Sequence, residues 1–289
     1  MLKLLQVIQE AENKKVAIGH FNISNLEQLK AIFEAARELS LPLIIGTSEG
    51  EGNFIGFKQA AALVKSFQEE FVYPIFLNAD HVHSLEKARE VAEDGYDAIT
   101  FDLSELPFEE NIAKTKEAVK FIKKINPEIL VEGEIGFIGH SSKILKEIPQ
   151  GAAIKPEDLT KPEEAARFVK ETKVDLLAPA VGSIHGMLID RPDPHLDISR
   201  IREIRKAAGV PLVLHGGSGI TNEDFTAAID AGIAIIHINT EIRWACRRSL
   251  EKSLRDNHEE IAPYKIMPAV IAEMKRVVTE KLKIFNKLN

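Results

Sequence analysis

Eight short runs of apolar residues recur along the chain. They are VAIGHF from Val16, PLIIG from Pro42, PIFLN from Pro74, DAITF from Asp97, ILVEG from Ile129, DLLAPA from Asp175, PLVLHG from Pro211 and IAIIHIN from Ile233. Continuous runs of this length, rich in β-branched residues, are typical of strands that are buried on both faces of a parallel sheet. The pattern therefore predicts eight parallel strands.

Amphipathic segments with helical spacing lie between these runs, for example LEQLKAIFEAARELS, LEKAREVAEDG and EENIAKTKEAVKFIKKI. Ser84 and Thr221 stand at N-cap positions, and Gly209 follows a predicted helix end. Strand and helix alternate eight times without a break in composition, which predicts one α/β domain over residues 1–289, folded as a closed (β/α)8 TIM barrel. An open, doubly wound sheet is the alternative.

Two segments depart from this alternation. Residues 136–160, rich in Gly, Ser and Lys, separate the fifth strand from its helix. Long loops after barrel strands lie on the active-site face, so we expect this one to be a mobile lid. Residues from about 244 to 289 show further helical patterns, which we expect to pack outside the barrel or against a second subunit.

The amino-acid composition limits the kinds of molecule that we expect the protein to bind. The formal net charge is −7 and the basic residues are interspersed with acidic ones, which argues against nucleic acid as a partner. No apolar run approaches the length of a membrane span, and the first residues do not resemble an export signal. The single cysteine, Cys246, cannot form an internal disulfide and fits a packed thiol. We expect a cytoplasmic protein with no membrane partner.

Polar side chains lie where the apolar runs end, and the carboxyl ends of barrel strands meet on one face. His81, His185 and His215 follow three different predicted strands. Three neutral imidazoles with an open fourth position form an ordinary catalytic zinc site, so we predict that these histidines bind one zinc ion. The alternative is that each histidine separately satisfies a buried polar contact.

Other histidines lack this placement. His83 and His140 are interpreted as loop or supporting residues near the metal, and His195 and His258 as surface residues.

The glycine-rich segment that begins at His215 precedes a helix predicted to start near Thr221. Bare backbone N–H groups and a serine hydroxyl at a helix N-terminus bind anions. The usual phosphate pocket of this fold uses the loops after strands 7 and 8. Here those loops supply Gly216, Gly217, Ser218, Asn239 and Thr240. We predict a phosphate subsite there; the alternative is that the glycines only form tight turns.

A metal beside an anion site suits a phosphorylated sugar whose carbonyl is next to the phosphorylated carbon. The metal polarises the carbonyl and stabilises an enediolate. Breaking the neighbouring C–C bond also needs a group that moves a proton on a hydroxyl. Asp80, adjacent to His81, is our candidate for this group; alternatively it anchors a histidine.

Several motifs resemble those of the class II, zinc-dependent fructose-bisphosphate and tagatose-bisphosphate aldolases. They are NADHVHS, TFDLSELPFEENI, VEGEIG, LAPAVGSIHG, LVLHGGSG and HINTE, in the family's order and spacing. The resemblance implies zinc ligands at His81, His185 and His215, and a general acid/base at Asp80. It also implies acidic residues near the metal at Asp102 and Glu134.

By the same resemblance, further residues contact the dihydroxyacetone phosphate half of the substrate. These are Gly186, Gly216, Ser218, Asn239 and Thr240, with Asn22 and Ser48 at other substrate-facing positions. Family members are homodimers or homotetramers, and some use a second divalent or a monovalent cation near the zinc.

Two positions depart from the family pattern. His237 stands where the family usually has an asparagine that contacts the enediolate. We assign it a catalytic role, either as a hydrogen-bond donor in place of the amide or, alternatively, as a group that reaches the metal. In the lid, the family's acidic residue is missing, and either Glu147 or His140 is its replacement.

The sequence thus favours a metal-dependent aldolase. We expect reversible cleavage of fructose 1,6-bisphosphate to dihydroxyacetone phosphate and glyceraldehyde 3-phosphate. The alternatives are an aldolase for tagatose bisphosphate or another ketose phosphate, an isomerase that uses the same enediolate, and a non-catalytic barrel that binds a metal, a sugar phosphate or a partner aldolase.

Overall fold

The computed structural model describes residues 3–139 and 142–288. The strands are β1 (Ile18–Asn22), β2 (Leu43–Ser48), β3 (Ile75–Val82), β4 (Ala98–Phe101), β5 (Leu130–Ile135), β6 (Ile144–Leu145), β7 (Leu176–Pro179), β8 (Met187–Leu188), β9 (Leu212–Leu214) and β10 (Ile233–Ile238). The helices are α1 (Leu4–Lys14), α2 (Leu26–Leu39), α3 (Glu49–Ile55), α4 (Phe57–Phe71), α5 (Leu85–Glu93), α6 (Phe108–Ile125), α7 (Pro162–Thr172), α8 (Ile198–Ala208), α9 (Asn222–Ala231), α10 (Thr240–Asp256) and α11 (Pro263–Phe285).

Eight strands form a closed parallel barrel in the order β1-β2-β3-β4-β5-β7-β9-β10. The ring closes because β1 pairs in parallel with both β2 and β10. This confirms the predicted (β/α)8 TIM barrel and excludes the open sheet. Since all eight strands run in one direction, their carboxyl ends share one face, where the predicted polar residues lie.

Apolar side chains from the strands fill the barrel interior near the amino ends of the strands. The interior set comprises Ile18, Ile44, Phe76, Ala98, Leu130, Leu176, Val213 and Ile235. Helix α1 belongs to the same cluster through Leu4, Val7, Ile8 and Ala11, so it closes that end of the barrel. A second, larger cluster lies between the strands and the outer helices. The packed end leaves only the opposite end of the barrel open to a ligand.

Local signals explain several helix boundaries. The Ser84 side chain accepts a hydrogen bond from the N–H of Lys87 at 3.2 Å and so caps α5. Thr221 caps α9 in the same way, through the N–H of Asp224. Gly209 ends α8 in the left-handed conformation, as the sequence predicted.

The connection between β5 and α7 contains one strand that the sequence did not predict. β6 pairs in parallel with β8, which follows His185. Two residues from each strand therefore join this connection to the segment that follows β7. The hydroxyl of Thr160 also donates to the carbonyl of Ile135 at 2.9 Å. These contacts anchor the expected lid to the barrel at its base and near its middle.

Two helices follow the barrel. α10 begins at Thr240, earlier than the expected start near 244, and α11 packs on α10 and α2. No helix among the described residues is both apolar and long enough to cross a bilayer. Cys246 on α10 is half-buried against the outer cluster, and burial raises the pKa of its thiol, which fits a packed side chain.

Candidate active site and metal centre

A cavity of about 320 Å³ opens at the carboxyl end of the barrel. Most of the predicted site residues line it: Asn22, Ser48, Asp80, His81, Asp102, His185, Gly186, His215, Gly216, Gly217, Ser218, His237, Asn239 and Thr240. Glu134 lies below its floor, only 3% exposed. The structure therefore brings together side chains from all eight barrel strands or their following loops, with Phe137 lining the cavity after β5.

The three predicted zinc ligands converge. His81, His185 and His215 each offer one ring nitrogen, and these nitrogens lie within 4.8 Å of one another. Nε2 of His81 is 3.2 Å from Nδ1 of His215. Two nitrogens bound to one tetrahedral zinc ion at roughly 2.0–2.1 Å would be about 3.3 Å apart, so this spacing fits a zinc site.

Each imidazole is oriented through its other nitrogen. Nδ1 of His81 lies 2.8 Å from Oδ2 of Asp102, and Nδ1 of His185 lies 2.9 Å from the carbonyl oxygen of Gly139. Nε2 of His215 lies 2.7 Å from Oε1 of Glu132. A proton on each of these nitrogens leaves the other nitrogen of each ring unprotonated and facing its neighbours. Histidines that bind a metal through one ring nitrogen usually donate the N–H of the other to a carboxylate or carbonyl oxygen, as these three can.

The charges around the cluster also favour a cation. Oε2 of Glu134 is buried without a hydrogen-bond partner and lies 3.5 Å from Nδ1 of His81 and 3.7 Å from Nδ1 of His215. Burial, with the charge of Asp102, raises the pKa of Glu134 to about 8. Burial opposes charge on His81, but Asp80 and Asp102 hold its pKa well above the usual range. A metal ion bound at the cluster would offset the negative charge of Glu134 and Asp102, as a proton on Glu134 does in its absence.

His81 and Asp80 are neighbours in sequence, yet both line the cavity. Residues of a regular strand alternate between faces. Here the pairing of β3 with β4 shifts between Ala79 and Val82, and His81 has a φ of 55°, which is uncommon for a residue other than glycine. The bulge turns both side chains to the same side, and strain of this kind is concentrated at functional sites.

His237 is sandwiched between two other imidazoles. Its ring stacks on His20 at 3.5 Å with an interplanar angle of 3°, and on His215 at 4.0 Å with an angle of 28°. Nδ1 of His237 is 3.4 Å from Oδ1 of Asp80. Burial, together with the neighbouring His20 and His215, holds the pKa of His237 well below its usual range. A neutral imidazole here has one N–H to donate.

Asp80 is held on one side only. Its Oδ2 accepts a hydrogen bond from Asn22 at 2.9 Å, whereas Oδ1 is buried without a hydrogen-bond partner. Burial opposes the charge of Asp80, but His81 and His237 lower its pKa well below the usual range. An ionised carboxylate with one unengaged oxygen facing a cavity is equipped to accept a proton.

The glycine-rich segment after β9 meets the start of α10. Gly216 has a φ of 65°, and a Cβ there would lie 2.3 Å from the carbonyl oxygen of Ile184, so the backbone requires glycine. The hydroxyl of Ser218 accepts a hydrogen bond from the N–H of Glu241 at 3.2 Å. Together with Gly217, Asn239 and Thr240, these residues form one wall of the cavity, which we call the phosphate cradle.

Two helices, α9 and α10, begin near this cradle. The sequence suggested the helix near Thr221, but the Thr221 side chain already caps α9 and does not line the cavity. Asn239 at the start of α10 makes no side-chain capping bond, while the N–H of Glu241 in the first turn already donates to Ser218.

Comparison with known proteins settles the family. The family model described as fructose-bisphosphate aldolase class-II matches residues 2–289. The chain belongs to the class II fructose-bisphosphate aldolases. It is 33% identical to a probable fructose-bisphosphate aldolase of Bacillus subtilis (strain 168) over 100% of this chain and 99% of that protein. It is also 33% identical to the fructose-bisphosphate aldolase of Geobacillus stearothermophilus, over 99% of this chain and 96% of that protein.

Solved structures agree with this assignment. The YdjI aldolase from Escherichia coli K12 superposes with a TM-score of 0.83 at 32% identity, covering 99% of this chain and 97% of that chain. Fructose-bisphosphate aldolase from Campylobacter jejuni superposes with a TM-score of 0.81 over 99% of this chain and 94% of that chain. Its identity is 18%, so this second likeness bears on the fold alone.

Several residues of this aldolase that contact the site were given no role in it from the sequence. They are His20, Glu51, Glu132 and Arg243. Glu132 and His20 belong to apolar runs that end at the site, and their strand positions offered a signal. Glu51 and Arg243 lie on α3 and α10, the helices that begin where β2 and β10 end. The helical pattern of these segments does not reveal that the two side chains pair with each other beside the cavity.

A buried ion pair supports the phosphate cradle of the aldolase from outside. Nζ of Lys281 on α11 lies 2.8 Å from Oε1 of Glu241, and the same oxygen accepts the N–H of Gly219 at 2.9 Å. Lys281 is 9% exposed and also lies 5.1 Å from the centre of the Phe225 ring. The last helix is thereby connected to the glycine-rich segment after β9.

The remaining predicted residues of the aldolase are placed as follows. His83 follows β3, lines the cavity rim and has its Nδ1 2.8 Å from the carbonyl oxygen of Asp102. His195 and His258 are exposed, as predicted. Glu147 is exposed and does not line the cavity, so its position gives no support to its replacing the missing lid acid. His140 lies outside the described residues.

Proposed function

We propose that this class II aldolase reversibly cleaves fructose 1,6-bisphosphate into dihydroxyacetone phosphate and glyceraldehyde 3-phosphate. The observation that carries the proposal is the single cavity in which the three-histidine cluster, Asp80 and the phosphate cradle meet. The family membership and the relatives named fructose-bisphosphate aldolase support the choice of substrate.

His81, His185 and His215 are the residues that would hold zinc, and Glu134 and Asp102 lie close enough to the cluster to serve an alternative or second cation. Zinc bound there would act as a Lewis acid on the carbonyl of the substrate. Three imidazoles with acceptors behind them suit zinc better than a hard ion such as magnesium, which prefers oxygen ligands.

Asp80 is proposed as the group that moves the proton. In the cleavage direction its Oδ1 would take the proton of the hydroxyl on the carbon that becomes the aldehyde. The C–C bond then breaks, the aldehyde leaves, and the electron pair stays on the dihydroxyacetone phosphate half. Asn22 holds the other carboxylate oxygen, so the reactive oxygen has a fixed direction.

His237 is proposed to donate a hydrogen bond in place of the family's asparagine. Nδ1 of His237 lies 3.4 Å from Oδ1 of Asp80, which supports this role. Metal binding is the alternative, because His237 also belongs to two groups that could hold a cation, one with His20 and Asp80 and one with Glu132 and His215. The cradle of Gly216, Gly217, Ser218, Asn239 and Thr240 would hold the phosphate of the dihydroxyacetone half. Gly186 and Ser48 line the same cavity, and we propose that they contact the substrate.

The decisive experiment measures cleavage of fructose 1,6-bisphosphate in a coupled triose-phosphate assay, with and without a chelator, followed by zinc add-back. Activity should be lost on chelation and restored by zinc. The variant His185→Ala should bind zinc far more weakly, because two imidazoles remain of three. A folded, zinc-loaded protein that cleaves no fructose 1,6-bisphosphate would refute the proposal.

The same assay with tagatose 1,6-bisphosphate tests the second candidate. The two sugars differ at one stereocentre, and faster cleavage of tagatose 1,6-bisphosphate would reassign the substrate. Zinc binding without cleavage of any ketose phosphate would instead favour the non-catalytic alternative.

We also propose that the aldolase is a cytoplasmic homodimer or homotetramer. Apolar side chains on and beside the last two helices support contacts between subunits there, since Leu254, Ile261 and Tyr264 are exposed. Sedimentation velocity of the purified protein tests the assembly, and a monomer at micromolar concentration would contradict it.

A further inference from the structure

A buried imidazole lies beside the proposed hydrogen-bond donor of the site. His20 is 1% exposed and does not line the cavity, yet its ring stacks on that of His237 at 3.5 Å, with 3° between the ring planes. The barrel brings the two residues together, because β1 pairs with β10 and His20 is the register partner of His237. Any effect of His20 on a bound substrate therefore passes through His237.

The strand on the other side of β1 leaves room for this ring. A Cβ on Gly46 of β2 would lie 2.2 Å from Cε1 and 2.7 Å from Nε2 of His20. The backbone of Gly46 lies outside the left-handed region, so it is the close approach of the His20 ring that excludes a side chain there. The ring of His20 is thus enclosed between β2 and the stacked ring on β10.

A hydrogen bond fixes the orientation of the His20 ring. Nε2 of His20 lies 3.2 Å from Oδ1 of Asn78 on β3, and Nδ2 of Asn78 donates to Oγ1 of Thr100 at 3.3 Å. Burial lowers the pKa of His20, so the ring is neutral and its single N–H can be the one that meets Asn78. Nδ1 of His20 is buried without a hydrogen-bond partner. Packing alone does not account for such an atom, because an apolar side chain would avoid its desolvation.

The two faces of the His237 ring are both covered. His20 covers one face, and the ring of His215 lies 4.0 Å from the other. With a ring on each face His237 cannot tilt, and its Nδ1 stays 3.4 Å from Oδ1 of Asp80. The in-plane lone pairs of two parallel rings do not point at one atom, which favours a role of the stack in orienting His237 over joint binding of a cation.

We propose that His20 is a positioning residue, which holds the ring of His237 by stacking so that the N–H of His237 keeps one direction beside Asp80. The inference rests on the proposed function for the role of His237 as a hydrogen-bond donor. It adds to that function a residue that acts without touching the substrate. Donors that are oriented before the reaction stabilise developing charge better than mobile ones, because they need no reorganisation.

The first test observes the His237 ring by NMR in the full-length, zinc-loaded protein with isotope-labelled histidine, and His237→Asn assigns its signals. Wild type should show one sharp tautomer of His237. His20→Gln keeps a polar side chain but has no ring, so His237 should exchange between tautomers. His195→Gln is the matched control, because His195 is exposed and pairs with Asp224 away from the stack. A single sharp tautomer in His20→Gln would overturn the inference.

A double variant separates positioning from a purely structural role. In cleavage of fructose 1,6-bisphosphate, His20→Gln should lower kcat by about tenfold, the upper range of what an aromatic pair contributes, with little change in KM. In the His237→Asn background there is no ring to hold, so the same substitution should change kcat by less than about twofold. Ile122→Val, at a buried position of the outer cluster on α6, controls for lost stability. An equal loss of kcat in both backgrounds would show that His20 only stabilises the barrel.

The two readouts keep this inference apart from the proposed function. If the protein cleaves no fructose 1,6-bisphosphate, the proposed function fails and the NMR result alone decides the role of His20. Zinc content and thermal unfolding show whether each variant is folded. If His20→Gln is not, His20→Phe takes its place, because it keeps a ring for stacking and loses only the hydrogen bond to Asn78. A single tautomer of His237 is expected in His20→Phe, and exchange between tautomers there would refute positioning by stacking.

Discussion

Glu132 offers a sharp test of the proposed zinc site, because it contacts one of the three proposed ligands. Its Oε1 lies 2.7 Å from Nε2 of His215, and both side chains are 2% exposed. The carboxylate fixes the proton of His215 on Nε2, which leaves Nδ1 to face the cluster and makes the ring a stronger donor. The variant Glu132→Gln keeps the volume and an acceptor atom but removes the charge.

The expected loss of zinc affinity follows from the contact of Glu132 with Nε2 of His215, the ring nitrogen that faces away from the cluster. Substituting such a partner lowers metal affinity by roughly 10–100-fold, and an isosteric amide belongs at the lower end. A tenfold rise in Kd reduces the stabilisation by zinc by about 1.4 kcal/mol when free zinc exceeds both dissociation constants. For a domain of this size the melting temperature of the zinc form should fall by roughly 3 °C relative to wild type.

The assay is competition for zinc with a chelating dye, together with thermal unfolding of the zinc-loaded and zinc-free forms. Glu171→Gln is the control, because Glu171 pairs with Arg167 on the surface, far from any ligand. The metal-free forms of wild type and Glu132→Gln should differ less than the zinc forms. Unchanged zinc affinity, or equal destabilisation of both forms, would show that Glu132 contributes only packing.

Three further predictions concern the proton carrier, the stacked histidine and an acidic residue remote from the metal. Asp80→Ala should keep zinc content and the melting temperature yet lose cleavage by at least about a hundredfold in the coupled assay, the size of a general acid/base contribution; full activity would refute its role. His237→Asn should preserve or raise the cleavage rate, because the amide also donates a hydrogen bond; loss of bound zinc by metal analysis would instead identify His237 as a ligand. Burial raises the pKa of Asp97 to about 6, although it accepts the N–H of Leu77 at 2.8 Å. The folded protein then holds a proton that the unfolded chain releases, so the contribution of Asp97 to stability falls as pH rises from about 4 to 6. Asp97→Asn should therefore gain up to about 3 kcal/mol over wild type across that range in urea unfolding, and a pH-independent difference would contradict the assignment.

The sequence alone predicted the barrel and the three histidines that we propose as metal ligands. Strands buried on both faces give continuous apolar runs, and eight such runs alternating with helices have few ways to close. His81, His185 and His215 were predicted as a group because the fold rule brings the ends of parallel strands to one face. The family match confirms the class of enzyme that these motifs indicated.

Local sequence signals also had defined limits. Thr221 and the glycine-rich segment predicted the start of α9 correctly, since Thr221 caps that helix, but the start of α10 at Thr240, beside the same cavity, was expected only near residue 244. The small β6–β8 pair has no periodicity to reveal it, since two residues are too few for a pattern.

Only the tertiary structure decided how the site is oriented. Which nitrogen of His215 faces the cluster depends on Glu132, which is 83 residues away along the chain, and the direction of Arg243 depends on Glu51, which is 192 residues away. Hydrogen bonds between distant residues leave no periodic trace in the sequence, because they require only that the two side chains meet after folding. The sequence determined which groups are present at the carboxyl end of the barrel, and the closed barrel determined which atoms of those groups face the substrate.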